Sequence, residues 1–79
     1  MGQDEIIKHL NGIFIDVIDN DDIKLTTGTA ADDVNGWDSL THIQLVVAIE
    51  KHFKVRFSSK EIQSWKNVGD LVHSIRAKM

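Results

Sequence analysis

Apolar residues along this chain recur mostly at three- and four-residue steps, the period of helices rather than strands. Between positions 4 and 18, Ile6, Leu10, Ile13 and Val17 follow that step, and Ile7, Phe14 and Ile18 widen the stripe. The pattern predicts a first helix from Asp4 to Ile18. It should end in Asp19-Asn20-Asp21-Asp22, whose side chains compete for backbone hydrogen bonds and favour turns. Positions 20–38 carry few apolar anchors, namely Ile23, Leu25, Val34 and Trp37. A loop of that length in a compact domain has a function or contains a short helix. A second helix is expected from Ser39 to His52, with Asp38 as its N-cap. On it Leu45, Val46, Ile49 and Phe53 share one face, whereas Leu40, Ile43 and Val47 gather on another. Ser58 and Glu61 have capping-box spacing and open a short third helix. Asn67 caps a fourth, with the stripe Val68, Leu71, Val72 and Ile75 and basic Arg76 and Lys78 near its end. The expected fold is all-α: a four-helix bundle with a long first loop and a short third helix.

Composition narrows the functions such a bundle can have. With 79 residues, the chain reads as a single domain over 1–79, and one this small buries only roughly 60% of its unfolded surface. There is no cysteine, which excludes disulfides and thiolate metal sites or catalysis and is compatible with a reducing, cytoplasmic setting. The opening MGQDEIIKHL has neither a basic n-region nor a long apolar run, so neither a signal peptide nor a membrane span is expected there. Nine Lys and Arg stand against twelve Asp and Glu, a net charge of -3. That balance argues against nucleic-acid binding and permits a partner with a basic patch.

Candidate chemistry concentrates at Gly36-Trp37-Asp38-Ser39-Leu40. A serine in the first turn of a helix sits beside free backbone N–H groups and a positive dipole end, which favours a covalently attached phosphate. Gly36 removes a side chain just upstream, leaving room for an approaching enzyme or cofactor. Ordinary helix capping explains Asp38-Ser39 as well. Ser39, His42 and Asp38 invite a hydrolase reading. Neighbours at a helix start do not supply the geometry of a triad, and the chain is small for an enclosed pocket. His42 is expected to be a half-buried or surface helix residue. His9, His52 and His73 are scattered, with no four-residue pair, so solvated side chains are expected rather than a metal site. The Asp19–Asp22 run lacks the glycine and terminal glutamate of a calcium loop. Trp37 and Trp65 read as packing residues.

The segment GWDSLTHIQLVVAIEKHFKVRF resembles the recognition helix of acyl and peptidyl carrier proteins. Ser58-Ser59-Lys60-Glu61-Ile62 and Asn67-Val68-Gly69-Asp70-Leu71-Val72 look like that family's third and fourth helices. The resemblance spans nearly the whole chain. It implies that Ser39 receives phosphopantetheine from coenzyme A through a separate transferase, and that Asp38 and Leu40 complete the motif the transferase reads. It further implies a non-catalytic monomer that presents acyl thioesters to acyl-transferring or condensing enzymes; shielding the base of the arm is then an alternative to packing for Trp37. Fatty-acid carriers usually bear acids early in this helix; here Thr41, His42 and Gln44 stand there, and Glu50 is retained. This departure suggests a specialised, polyketide-like or other dedicated acyl pathway in preference to housekeeping fatty-acid synthesis. Leu40, Ile43, Val47 and Glu50 form the expected docking strip. The alternative is a bundle of the same fold that binds partners without being modified.

Overall fold

The computed structural model describes residues 2–79, and they contain four α-helices. Helix α1 spans Gln3–Ile18, α2 Ser39–Phe53, α3 Ser59–Ser64 and α4 Val68–Ala77; a 3-10 turn at Ala31–Asp33 interrupts the first loop. The all-α bundle with a short third helix is thus as expected. The loop's length is explained in part by that short turn.

Capping chemistry sets the boundaries. Asp19 (φ 61°) and Lys54 (φ 56°) end α1 and α2 in the left-handed conformation, and their N–H groups donate to the Ile15 and Glu50 carbonyls. These bonds satisfy carbonyls that a helix end otherwise leaves open. Ser58 Oγ accepts the Glu61 N–H while Glu61 Oε1 accepts the Ser58 N–H, the reciprocal box expected from sequence. Asn67 Oδ1 accepts the Asp70 N–H at 3.0 Å.

Ile6, Leu10 and Phe14 from α1, Leu45 and Ile49 from α2, and Val68, Leu71, Val72 and Ile75 from α4 form the core, closed by Ile23 and Leu25 from the loop. The centre of the α1 stripe lies at Ile6-Leu10-Phe14; Ile13 and Val17, expected at that centre, are only half-buried. Two helices pack on α1 at once, so its most buried line falls between them and shifts off the first-choice row. The four α2 residues assigned to the core face behave as expected, with Phe53 half-buried at the edge.

The loop is tied to both ends of the bundle. Asn11 Oδ1 on α1 accepts the Leu25 N–H at 2.8 Å. The first N–H groups of α4 donate back into the loop, Val68 to the Thr29 carbonyl at 2.8 Å and Gly69 to the Thr27 carbonyl at 2.9 Å. A Cβ on Gly69 would stand 2.9 Å from that same Thr27 oxygen, so only glycine permits the approach.

Gly36 has an internal reason to be glycine, different from the access role expected of it. Its φ is +96°, and a Cβ there would lie 2.8 Å from Ile18 Cγ2. Gly36→Ala is expected to cost about 2 kcal/mol from backbone strain and overpacking together. For a domain of this size that is a fall of roughly 10 °C in Tm, readable in a thermal melt followed by circular dichroism.

Candidate functional site

Asp38 positions the start of α2. Its Oδ1 accepts the Thr41 N–H at 2.9 Å, and its own N–H donates to Thr41 Oγ1 at 2.7 Å. Thr41 Oγ1 also donates to the Gly36 carbonyl at 2.7 Å. Thr41, which stands where an acid was missed, therefore locks the turn that presents Ser39. The Thr41 N–H, with help from its side chain, holds the Asp38 carboxyl below the ordinary carboxylate range. Glu61 is lowered likewise, first by the Ser58 N–H and then by Lys78, whose Nζ lies 3.0 Å from Oε1.

Both groups have depressed folded-state values. Their stabilisation is therefore complete above the ordinary carboxylate range, about 4, and is lost as pH falls through the lower folded-state values. Acid melts should show Tm falling in that window. Asp38→Asn keeps a capping oxygen that does not titrate, so its melts should fall less steeply over the same range.

Ser39 occupies the first helical position of α2 and is exposed. It opens onto a cavity of about 670 Å³ walled by Trp37, Ile43, Ile62, Trp65 and Leu71, with Asp38, His42, Gln63, Lys66 and Asn67 as its polar members. Both indoles are pinned. Trp37 packs its edge on Phe14 with ring centroids 4.9 Å apart, and its Nε1–H donates to His42 Nδ1 at 3.1 Å. Trp65 Nε1–H donates to Ser74 Oγ at 2.8 Å, and Phe57 meets its ring edge-on.

The remaining α2 positions divide as the sequence suggests. Leu40 is 67% exposed, Ile43 63% and Val47 46%. Glu50 is half-buried, and its Oε2 accepts the Phe57 N–H at 2.9 Å, so it also fastens the segment before α3. Val47 and Glu50 lie together on a groove whose other members include Lys51, Lys54 and Arg56. Asp38 is engaged by Thr41 and His42 by Trp37, and among the described residues no acid–histidine hydrogen bond stands behind Ser39.

Residues 9–75 match the family described as "Phosphopantetheine attachment site". An acyl carrier protein of Thermosynechococcus vestitus is 31% identical over 80 residues, covering 100% of this chain and 98% of the relative. The chain belongs to the acyl carrier protein family. A second carrier, from Caulobacter vibrioides, is 31% identical over 74 residues, 94% of this chain and 95% of its own length. The solved structure of a holo acyl carrier protein from Geobacter metallireducens superposes with a TM-score of 0.85 at 44% identity, over 91% of this chain and 83% of that one.

The family's prosthetic group is phosphopantetheine. An exposed hydroxyl at a helix start, beside a partly apolar cavity, is the kind of place such a group requires, and Ser39 supplies it. Of the residues singled out by apolar period and caps, Asp38, Ser39 and Ile43 line this cavity, whereas Leu40, Val47 and Glu50 do not. Period and caps do not reveal Ile62, Gln63 and Trp65, which reach the cavity from the far side of the sequence. The histidines are less scattered than expected. His52 Nε2 lies 2.9 Å from His9 Nδ1, across the α1–α2 contact. Among the described residues no three metal-binding side chains gather.

Proposed function

We propose that residues 1–79 act as one cytoplasmic, monomeric carrier domain with its phosphopantetheine arm on Ser39. The observation that supports this most is Ser39 itself, exposed in the first turn of a helix that Asp38 caps, beside an open cavity. A transferase forms the new bond between Ser39 Oγ and the phosphorus of coenzyme A's pantetheine phosphate. The phosphoanhydride bond breaks, adenosine 3′,5′-bisphosphate leaves with the electron pair, and the serine proton passes to the transferase's base. Asp38 and Leu40 present the motif that enzyme reads. When bound, the arm supplies a thiol that holds acyl groups as thioesters. The domain does no chemistry of its own; it delivers acyl groups by raising their effective concentration at each partner.

Leu40, Ile43 and Val47 offer partners an apolar strip, and Glu50 offers one acidic edge. Lys51, Lys54 and Arg56 continue that surface with basic charge. Thr41, His42 and Gln44 remove the usual acids. This charge pattern supports a dedicated acyl pathway, polyketide-like or similar, over housekeeping fatty-acid synthesis. Malonyl loading of the modified protein by a fatty-acid transacylase should therefore be slower than loading of an ordinary fatty-acid carrier. Equal rates would refute the specialised assignment.

The carrier reading is tested by intact mass. Incubation with coenzyme A, magnesium and a broad-specificity phosphopantetheinyl transferase should add one arm per chain. An unchanged mass across several transferases would favour the unmodified interaction bundle. An arm found on Ser58, Ser59 or Ser64 would move the site.

A further inference from the structure

The Trp37–His42 contact fixes more than packing. An indole N–H can only donate, so His42 Nδ1 must accept at 3.1 Å. In the neutral ring the proton then lies on Nε2. Among the described residues, no buried side-chain nitrogen or oxygen lacks a partner, so Nε2–H, which has no protein partner, is open rather than sealed. The ring lies between two indoles: nearly parallel to Trp37, centroids 6.1 Å apart, and edge-on to Trp65 at 6.0 Å. Both tryptophans and His42 line the cavity beside Ser39. The cavity therefore holds an N–H donor, fixed by the Trp37 contact, set in a partly apolar wall.

We propose that His42 is a specificity-determining residue: its Nε2–H donates to an oxygen along the acyl chain carried at Ser39, beyond the linking carbonyl, so the cavity favours oxygenated acyl chains over plain alkyl chains. The proposal rests on the carrier reading of Ser39. An alkyl chain would cover Nε2–H and leave it unpaired, a penalty that a further oxygen along the chain, beyond the linking carbonyl, removes. Gln63, Lys66 and Asn67, on the same cavity, add further polar groups for such a chain. The oxygen could instead belong to the arm, in its phosphodiester or amides. The start of α2 already offers backbone N–H groups near Ser39 for a phosphate. The donor between the indoles is better matched to the cargo.

The test uses the full chain loaded by a transferase with three arms: bare pantetheine, an octanoyl chain and a 3-oxooctanoyl chain, the last two joined by stable amide links. Intact mass with peptide mapping first shows the arm on Ser39; its absence sinks both this proposal and the carrier reading. With the arm in place, long-range proton–nitrogen NMR follows the His42 ring. Only the 3-oxo form should shift Nε2–H and slow its exchange with water, by about tenfold for one added hydrogen bond. The 3-oxo form should also melt about 4 °C above the octanoyl form. That gap should vanish in His42→Leu and persist in His42→Gln, whose amide keeps a donor. Each comparison is made within one variant, so a general loss of stability does not mimic the effect. Slowed exchange already present with bare pantetheine would assign the oxygen to the arm and overturn the proposal. So would identical behaviour of the octanoyl and 3-oxo forms.

Discussion

Ser39→Ala is expected to fold like the parent and accept no phosphopantetheine arm. The side chain is exposed, and the structure shows no bond from Ser39 Oγ to the rest of the fold among the described residues. The N-cap work is done by Asp38 and Thr41, not by Ser39. Alanine is also the strongest helix former for the first turn. Helical content and Tm should therefore stay near the parent's, because exposed substitutions away from special features usually cost within about 0.5 kcal/mol. The mass increase, by contrast, should vanish completely, because attachment needs a hydroxyl at that position. A residual arm on the variant would show that another serine is used. A collapsed helical signal would show that the Ser39 hydroxyl supports the turn and would leave the loss of mass unassigned to attachment.

Val47→Asp should remain folded and lose at least about tenfold in acyl transfer to its own pathway enzyme. Val47 is nearly half exposed, one turn beyond Ile43 and beside Glu50. In the free protein an aspartate there meets water, so Tm should stay within about 4 °C. In a docked complex the same carboxylate would sit in apolar contact without a partner, and loss of a central anchor costs more than 1 kcal/mol at the residues that dominate an interface. Two outcomes would remove Val47 from the docking strip: an unfolded variant, which places it in the core, and a folded variant that transfers at the parent's rate. Installation of the arm by the transferase gives an internal control, since Ser39 is untouched.

Local chemistry made much of this molecule readable. Asp38, Ser58 and Asn67 each announced a helix start because the hydrogen bond they make lies within three residues. The division of α2 into a buried face and an exposed strip followed from its period alone. Contacts between distant residues left no such trace. His9 and His52 meet across 43 positions, and Thr27 and Thr29 hold the start of α4 through carbonyls, which every residue type carries. Periodicity registers neither. The same limit hid the far wall of the cavity. It also misplaced the centre of α1, because which apolar row is deepest depends on where the neighbouring helices lie. Gly36 has a further reason to be glycine that was not legible, since positive φ and the closeness of Ile18 cannot be read from a single letter.

The loop bonds that anchor Val68 and Gly69 leave the two walls of the cavity unequal. The start of α4 can release only when the loop undocks, whereas α3 buries no side chain completely and is held by its Ser58 cap and the Glu61–Lys78 pair. Local opening free energy follows buried contact. Amide protons of α3 should therefore exchange with solvent far sooner than those of Leu71, Val72 and Ile75. The cavity beside Ser39 therefore has one wall, the loop and α4, tied by backbone bonds, and one, α3, held by its cap and a single surface ion pair, with the Phe57 N–H before it fastened by Glu50.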